Sequence, residues 1–206
     1  MASCLSEEER QALTWAMFED VTEAAAGVTQ CEAIVIVSSY APAIHRARLL
    51  GFDVIVEEHQ FSESESVDSA SAALAAKGFD AVMRLPADVP LVRSDDIDEL
   101  LTRELSAPAA LLVASREGTG TNAIIRTPPT VFPSRFGPNS LALHTKEAAK
   151  AGAQCLVANY PRLALDIDDA SDLAAFLESG ERTRTFHALS KMNAASRLPE
   201  LGKTAQ

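Results

Sequence analysis

Residues Ala33–Glu58 read AIVIVSSYAPAIHRARLLGFDVIVEE. The first seven, Ala33–Ser39, are β-branched and apolar on both faces, the pattern of a strand buried on both sides. APAIHRARLLG follows as a short helix stopped by Gly51, and FDVIVEE reads as a second strand. Strands that alternate with covering helices in this way form parallel α/β sheets.

The alternation continues on both sides of this stretch. Upstream, Ser6 and Glu9 form a capping box ahead of a long helix. Leu13, Met17, Val21 and Ala24 share one face of it at helical spacing, and Gly27 ends it. Downstream, a serine- and acid-rich run leads into a helix capped by Ser66 or Asp68 and ended at Gly78. AVMRLPADVP is a strand broken by Pro86, SDDIDELLTREL a helix with acids in its first turn, and AALLVAS a strand. The second half is less regular. NAIIRT is a strand, LALHTKEAAKAG a helix, QCLVAN and LALDID short strands, and ASDLAAFLESG a helix. A last helical stretch runs into a polar tail from about residue 197. No repeat or linker divides the chain. The expectation is therefore one α/β domain over residues 1–206, a mostly parallel sheet with helices on both faces. Doubly wound domains open with a strand and a glycine- or lysine-bearing loop. Here residue 1 sits almost at the first helix cap, so the first strand is expected to be missing.

Composition narrows the partners. Of 206 residues 47% are hydrophobic, as in a globular protein, and the net charge is -11. That charge argues against nucleic acid or an anionic membrane surface. It leaves room for a small anionic ligand, because a metal ion can invert the local field. Cys4, Cys31 and Cys155 are scattered and odd in number, which reads as reduced thiols in a cytoplasmic protein. His45, His59, His144 and His187 show no metal-ligand spacing. There is no signal peptide and no apolar run of membrane-spanning length.

Four motifs carry possible chemistry. In LPADVPLV, Asp88 follows the carboxyl end of a strand, the edge where open α/β sheets bind ligands. It is either a hard-oxygen metal ligand or a turn aspartate. In LALDIDDASDL, alternation puts Asp166 and Asp168 on one side of a strand. Adjacent carboxylates repel unless a cation or proton lies between them. The alternative, a helix cap, is open to Asp169 instead. In REGTGTNAII, Gly118 and Gly120 allow close backbone approach, while Thr119 and Thr121 supply hydroxyls. The competing reading is a connecting turn. In FGPNS, Gly137 precedes a helix with Pro138 at its first position and Ser140 in its first turn. That is either an anion site or a simple cap. Taken together, three carboxylates and two neutral anion-binding loops suit phosphate transfer by metal charge neutralisation.

These motifs, in this order and spacing, resemble the CofC/FbiD family of guanylyltransferases, which activate a phosphorylated hydroxy- or enol-acid with GTP in coenzyme F420 biosynthesis. The likeness runs from about Leu5 to Leu177 and includes the first helix. It implies a MobA-like nucleotidyltransferase fold. It also implies that Asp88, Asp166 and Asp168 hold two magnesium ions and that Asp88 faces the nucleotide. Thr121, Gly137 and Ser140 would hold the phospho-acid, whose phosphate oxygen attacks the α-phosphorus of GTP and expels pyrophosphate. Family members usually carry an opening strand with a lysine-bearing loop, and a Gly-Leu-Asn stretch before the second helix of the nucleotide half. This chain has SESESVDSASAAL at the latter place, where Ser66 and Asp68 would serve the nucleoside. That serine-rich variant is similar to the branch using 3-phospho-D-glycerate, ahead of 2-phospho-L-lactate and phosphoenolpyruvate. A related nucleotidyltransferase with another acceptor, or a truncated non-catalytic paralogue, are the other readings.

Overall fold

The computed structural model describes residues 5–58 and 62–198. Cys4, His59 and most of the polar tail lie outside them. The first helix, α1 (Glu7–Ala26), has the Ser6–Glu9 capping box and ends at Gly27. It leads to β1 (Val35–Ser38), α2 (Ala41–Leu49) and β2 (Asp53–Val56), the three elements expected from Ala33–Glu58. β1 and β2 run parallel, with Val35 opposite Asp53 and Ser38 opposite Val56, and α2 packs on both. They form a two-stranded sheet of their own. It is half-buried rather than buried on both sides, because so narrow a sheet has little surface to cover.

After α3 (Glu63–Ala76), four strands form a second sheet: β3 (Val82–Arg84), β4 (Ala109–Ala114), β5 (Thr121–Thr127) and β6 (Gln154–Ala158). Their order is β3-β5-β4-β6. β4 and β6 are parallel, while β5 is antiparallel to both its neighbours. The parallel order expected from the sequence thus holds for β1–β2 and β4–β6, and the second sheet is mixed. The cause is local: β4 and β5 are joined by the short loop 115–120, and a connection of that length can only reverse the chain.

β4 sorts its side chains to two faces, and helices cover both. Ala110 and Leu112 pack with Ile124, Phe132 and Ala148 beneath α5 (Ser140–Lys150). Leu111 and Val113 pack with Ile97, Leu100 and Leu163. Those three come from α4 (Ser94–Leu101) and α6 (Pro161–Ala164). A further cluster joins Leu13 and Met17 of α1 to Leu173 and Phe176 of α7 (Ala170–Glu178) and Leu189 of α8 (Arg184–Lys191). Asp20 of α1 fixes α8 by accepting from the backbone N–H groups of Arg184 and Thr185 at 2.9 and 2.8 Å. Among the described residues no helix is long and apolar enough to cross a membrane.

Three local expectations change. Ser62, not Ser66 or Asp68, caps α3, accepting from the Glu65 N–H ahead of an acidic first turn. Ser66 and Asp68 therefore lie inside the helix. α5 starts at Ser140, because Asn139 at φ 60° breaks the helical path that Pro138 would have begun. LALDID is not a strand: Leu163 and Ala164 finish α6, and residues 165–168 are irregular. Leu165 and Ile167 are still buried while Asp166 and Asp168 are more exposed. The alternation is real, but it has no ladder partner.

Candidate active site

One backbone bond brings the two acidic segments together. The Ile167 N–H donates to the Asp88 carbonyl at 3.1 Å, laying the DID segment along the ADVP loop. Asp88 is half-buried and is followed in the chain by buried Val89, Pro90 and Leu91. One of its oxygens, Oδ1, is buried with no hydrogen-bond partner. Burial pushes the Asp88 carboxyl up to about 6; Asp166 and Asp168 add to the rise and the Arg84 guanidinium opposes it. Burial also raises Asp168, helped by Asp166 and Asp172. The cap of α7 is taken by Asp169, which accepts from Ser171 and Asp172 N–H at 2.7 and 3.1 Å. Asp166 and Asp168 are thus not needed as caps.

This arrangement fits a divalent cation. An orphaned, buried carboxylate oxygen beside two further carboxylates is a hard-oxygen environment short of positive charge. Among the described residues no group of three or more His, Cys, Asp or Glu side chains is placed to hold a metal ion. Magnesium characteristically takes only one or two protein carboxylates and completes its shell with water and phosphate oxygens.

The neutral loops meet on the other side. Residues 115–120 are the β4–β5 connection, so the connecting-turn reading holds for the loop itself. Its backbone is folded by the Gly118 N–H to Ser115 carbonyl bond at 2.9 Å and the Gly120 N–H to Ser115 Oγ bond at 2.9 Å. This delivers Thr121 as the first residue of β5. The Thr121 N–H donates to Ser140 Oγ at 2.8 Å, joining the GTGTN loop to the start of α5. Both side chains are buried, with 5% and 3% exposure. Gly137 takes φ +113°, a conformation that favours glycine. Its carbonyl accepts from the Ser140 N–H at 3.1 Å. The Thr119 carbonyl accepts from the Leu141 N–H at 3.1 Å, but the residue is exposed and lines an open groove beside α5 with Leu141, Ala142 and Thr145.

Three residues were not singled out by their pattern. Asn122 joins the two halves: its Nδ2 amide reaches the Leu163 and Ala164 carbonyls at 3.0 Å each and Asp166 Oδ1 at 3.1 Å. An asparagine at the second position of a strand, directly after Gly-Thr, is the signal the sequence offers. Arg84 donates to the Asn122 carbonyl at 2.7 Å, pairs with Glu63 and lies over the Phe136 ring at 4.5 Å. Burial lowers its pKa, and Glu63, Asp88 and Asp166 counter that. His144, fully buried, sits 3.0 Å from the Thr121 hydroxyl through Nδ1 and accepts from the Arg135 N–H at 2.8 Å through Nε2. Burial first, then Arg126 and Arg84, pushes it down to about 4.

The α3 residues are placed differently from each other. Asp68 is committed to structure: it accepts from Arg126 at 2.8 Å, from Ser134 N–H at 2.9 Å and from Ser134 Oγ at 2.7 Å. Ser66 is half-buried on the same helix.

Residues 1–202 match the family model described as guanylyl transferase CofC like. A phosphoenolpyruvate guanylyltransferase of Rubrobacter xylanophilus is 31% identical, over 83% of this chain and 82% of its own. A 2-phospho-L-lactate guanylyltransferase of Methanothermobacter thermautotrophicus is 30% identical, over 93% and 83%. A 3-phospho-D-glycerate guanylyltransferase of Colwellia psychrerythraea is 28% identical, over 82% and 80%. In fold, the chain is similar to a cytidylyltransferase from Leptospira borgpetersenii, with TM-score 0.54 at 15% identity over 95% of this chain and 87% of that one. The sequence motifs, the two-sided site and these relatives agree: this chain belongs to the CofC guanylyltransferase family and is a nucleotidyltransferase.

Proposed function

We propose that this protein transfers the guanylyl group of GTP to the phosphate of a small phosphorylated acid, with release of pyrophosphate. The observation that carries this reading is the position of Asn122. It is bonded to Asp166 and is next in chain to Thr121, so the acidic group and the neutral hydroxyl group are adjoining parts of one site. Asp88, Asp166 and Asp168 would hold magnesium, two ions in full occupancy. When bound, magnesium supplies neutralisation of the triphosphate charge.

Thr121 and Ser140 hold the phospho-acid by their hydroxyls and Gly137 by its backbone, groups that bind an anion without carrying charge. The nucleoside is assigned to the α3 side, with Ser66 offering a hydroxyl and Asp68 anchoring the helix. One oxygen of the acceptor phosphate forms a bond to the α-phosphorus as the α–β bridging bond breaks, and pyrophosphate leaves with that electron pair. The attacking oxygen is already anionic, so no side chain has to take a proton. His144 is unsuited to that task, since both ring nitrogens are engaged within the protein.

Among the acids named for the relatives we place 3-phospho-D-glycerate first, because SESES opens α3 where Gly-Leu-Asn is usual. The product of such a transfer is the guanylylated acid of coenzyme F420 biosynthesis. Pyrophosphate release from GTP and magnesium, with 3-phospho-D-glycerate, 2-phospho-L-lactate or phosphoenolpyruvate in turn, tests the proposal. Release with 3-phospho-D-glycerate in preference is expected. Release with another acid moves the substrate assignment, and release with a sugar phosphate alone would replace it.

A further inference from the structure

The hydrogen bonds around His144 have a fixed polarity. The Arg135 backbone N–H can only donate, so Nε2, which faces it at 2.8 Å, must be the unprotonated nitrogen. A neutral imidazole then carries its proton on Nδ1, and Nδ1–H donates to Thr121 Oγ1 at 3.0 Å. Burial of the ring and the neighbouring Arg126 and Arg84 keep it neutral. The edge of the ring arrangement is fixed by Phe136, 4.9 Å away at 72°. Thr121 Oγ1 thus accepts from His144, which has no lone pair left to take the hydroxyl proton in return. The same polarity recurs next door: Ser140 Oγ accepts from the Thr121 N–H. Among the described residues neither hydroxyl proton is given a protein acceptor. Two adjacent hydroxyls, each already accepting from the protein, keep their protons free to donate.

We propose that His144 is a positioning residue for substrate binding: by donating Nδ1–H to the Thr121 oxygen instead of accepting from it, it keeps the Thr121 hydroxyl proton available as a hydrogen-bond donor to the anionic acceptor. With the opposite tautomer, Nδ1 would take the Thr121 proton, and the hydroxyl would present only lone pairs to an anion. This inference rests on the assignment of Thr121 to the phospho-acid in the proposed function.

Two measurements test it. Long-range ¹H–¹⁵N spectra of the wild-type protein report the tautomer directly; an Nδ1–H ring is expected, and an Nε2–H ring overturns the proposal. Steady-state kinetics then separate positioning from packing. Thr121→Val is expected to raise the KM for the acid roughly tenfold and leave the KM for GTP unchanged, the effect of one lost hydrogen bond to a charged group. His144→Gln, which withdraws the donor from Thr121, should do the same. His144→Asn, which keeps an amide N–H near the Nδ1 position, should recover most of the loss. The Thr121→Val/His144→Gln pair should be no worse than Thr121→Val alone, because His144 acts through that hydroxyl. Additive losses, or equal rises in both KM values, would assign His144 a packing role only. No acid-dependent pyrophosphate release by the wild type would instead remove the functional reading itself, and the proposal with it.

Discussion

Around Thr121 and Ser140 the protein supplies its own partners: a backbone N–H, a serine oxygen and both nitrogens of a buried imidazole are paired. Around Asp88 it does the reverse. It sets one carboxylate in a buried position, leaves an oxygen without a partner and brings two more acids close enough to raise its pKa. In the first region folding pairs every group except the two hydroxyl protons. The second keeps an unpartnered carboxylate oxygen, and its neighbouring acids work against the single nearby guanidinium, Arg84. A fold can hold such a deficit only where the rest of the structure outweighs it, which is why strain of this kind marks functional sites.

The largest test of that contrast is to remove the deficit. Asp88→Asn discards a charge that burial disfavours but keeps the size of the side chain. Turnover should fall by roughly a hundredfold or more, the scale seen when one electrostatic element of an active site is lost. The melting temperature without ligand should stay level or rise, since raising a carboxyl to about 6 means that the ionised form destabilises the fold at neutral pH. Asp166→Asn should behave alike in turnover. Retained activity in either variant, measured by pyrophosphate release, would remove the carboxylates from the mechanism.

Asn122 is where the two regions meet, so it should damage both. Asn122→Asp replaces an N–H donor with an oxygen facing the Leu163 and Ala164 carbonyls and Asp166. A loss of about 2–4 kcal/mol is expected in denaturant unfolding, from buried acceptors left without a donor and a new like charge. The KM values for GTP and acid should both rise. An effect on one substrate alone would mean that the halves are independent.

These two tests also mark what a sequence can show. The stretch Ala33–Glu58 was legible because strand, helix and turn there follow local rules: β-branched runs, a proline in the first helical turn, a glycine past the last. The carboxylates were legible because repulsion between neighbouring charges is a fact of composition. Asp166 and Asp168 were read as strand residues because alternation is the same in a strand and in an extended segment; only pairing distinguishes them, and pairing is tertiary. The split into two sheets was hidden for the same reason. Asn122 and His144 looked ordinary because their partners are distant in the chain: Leu163 and Ala164 for one, Thr121 for the other. Arg84 was hidden inside a short strand, and its value lies in what surrounds it. The carboxylates and the Thr121, Gly137 and Ser140 loops are visible in residue types, and the residues that tie them together, Asn122, Arg84 and His144, become visible only through contacts.

The first region can be loosened with pH. His144 is held near 4 in the folded protein, below the 6.5 of a free imidazole. Its neutral form therefore contributes stability that is fully present above about 6.5 and is lost as the pH falls through 4, because the unfolded chain takes up the proton first. The melting temperature of wild type should drop across that window more steeply than that of His144→Gln. Parallel curves would show that the imidazole is not held neutral by the fold.

The smallest expected effect lies in the turn that delivers Thr121. A Cβ on Gly120 would stand 2.9 Å from Ser115 Oγ and 3.1 Å from its Cβ. That oxygen is the acceptor for the Gly120 N–H. Gly120→Ala must therefore push the serine aside and weaken the bond that closes the loop, at about 1 kcal/mol in stability. Thr121 would shift slightly against Ser140, so the KM for the acid should rise by about twofold to fivefold with the KM for GTP unchanged. Adding Ser115→Ala relieves the clash on the oxygen but not the lost bond, and it should recover part of the stability and little of the KM. Full recovery of both would mean that the turn matters only for the space it leaves, and that the Thr121–Ser140 pair does not depend on how the loop before it is closed.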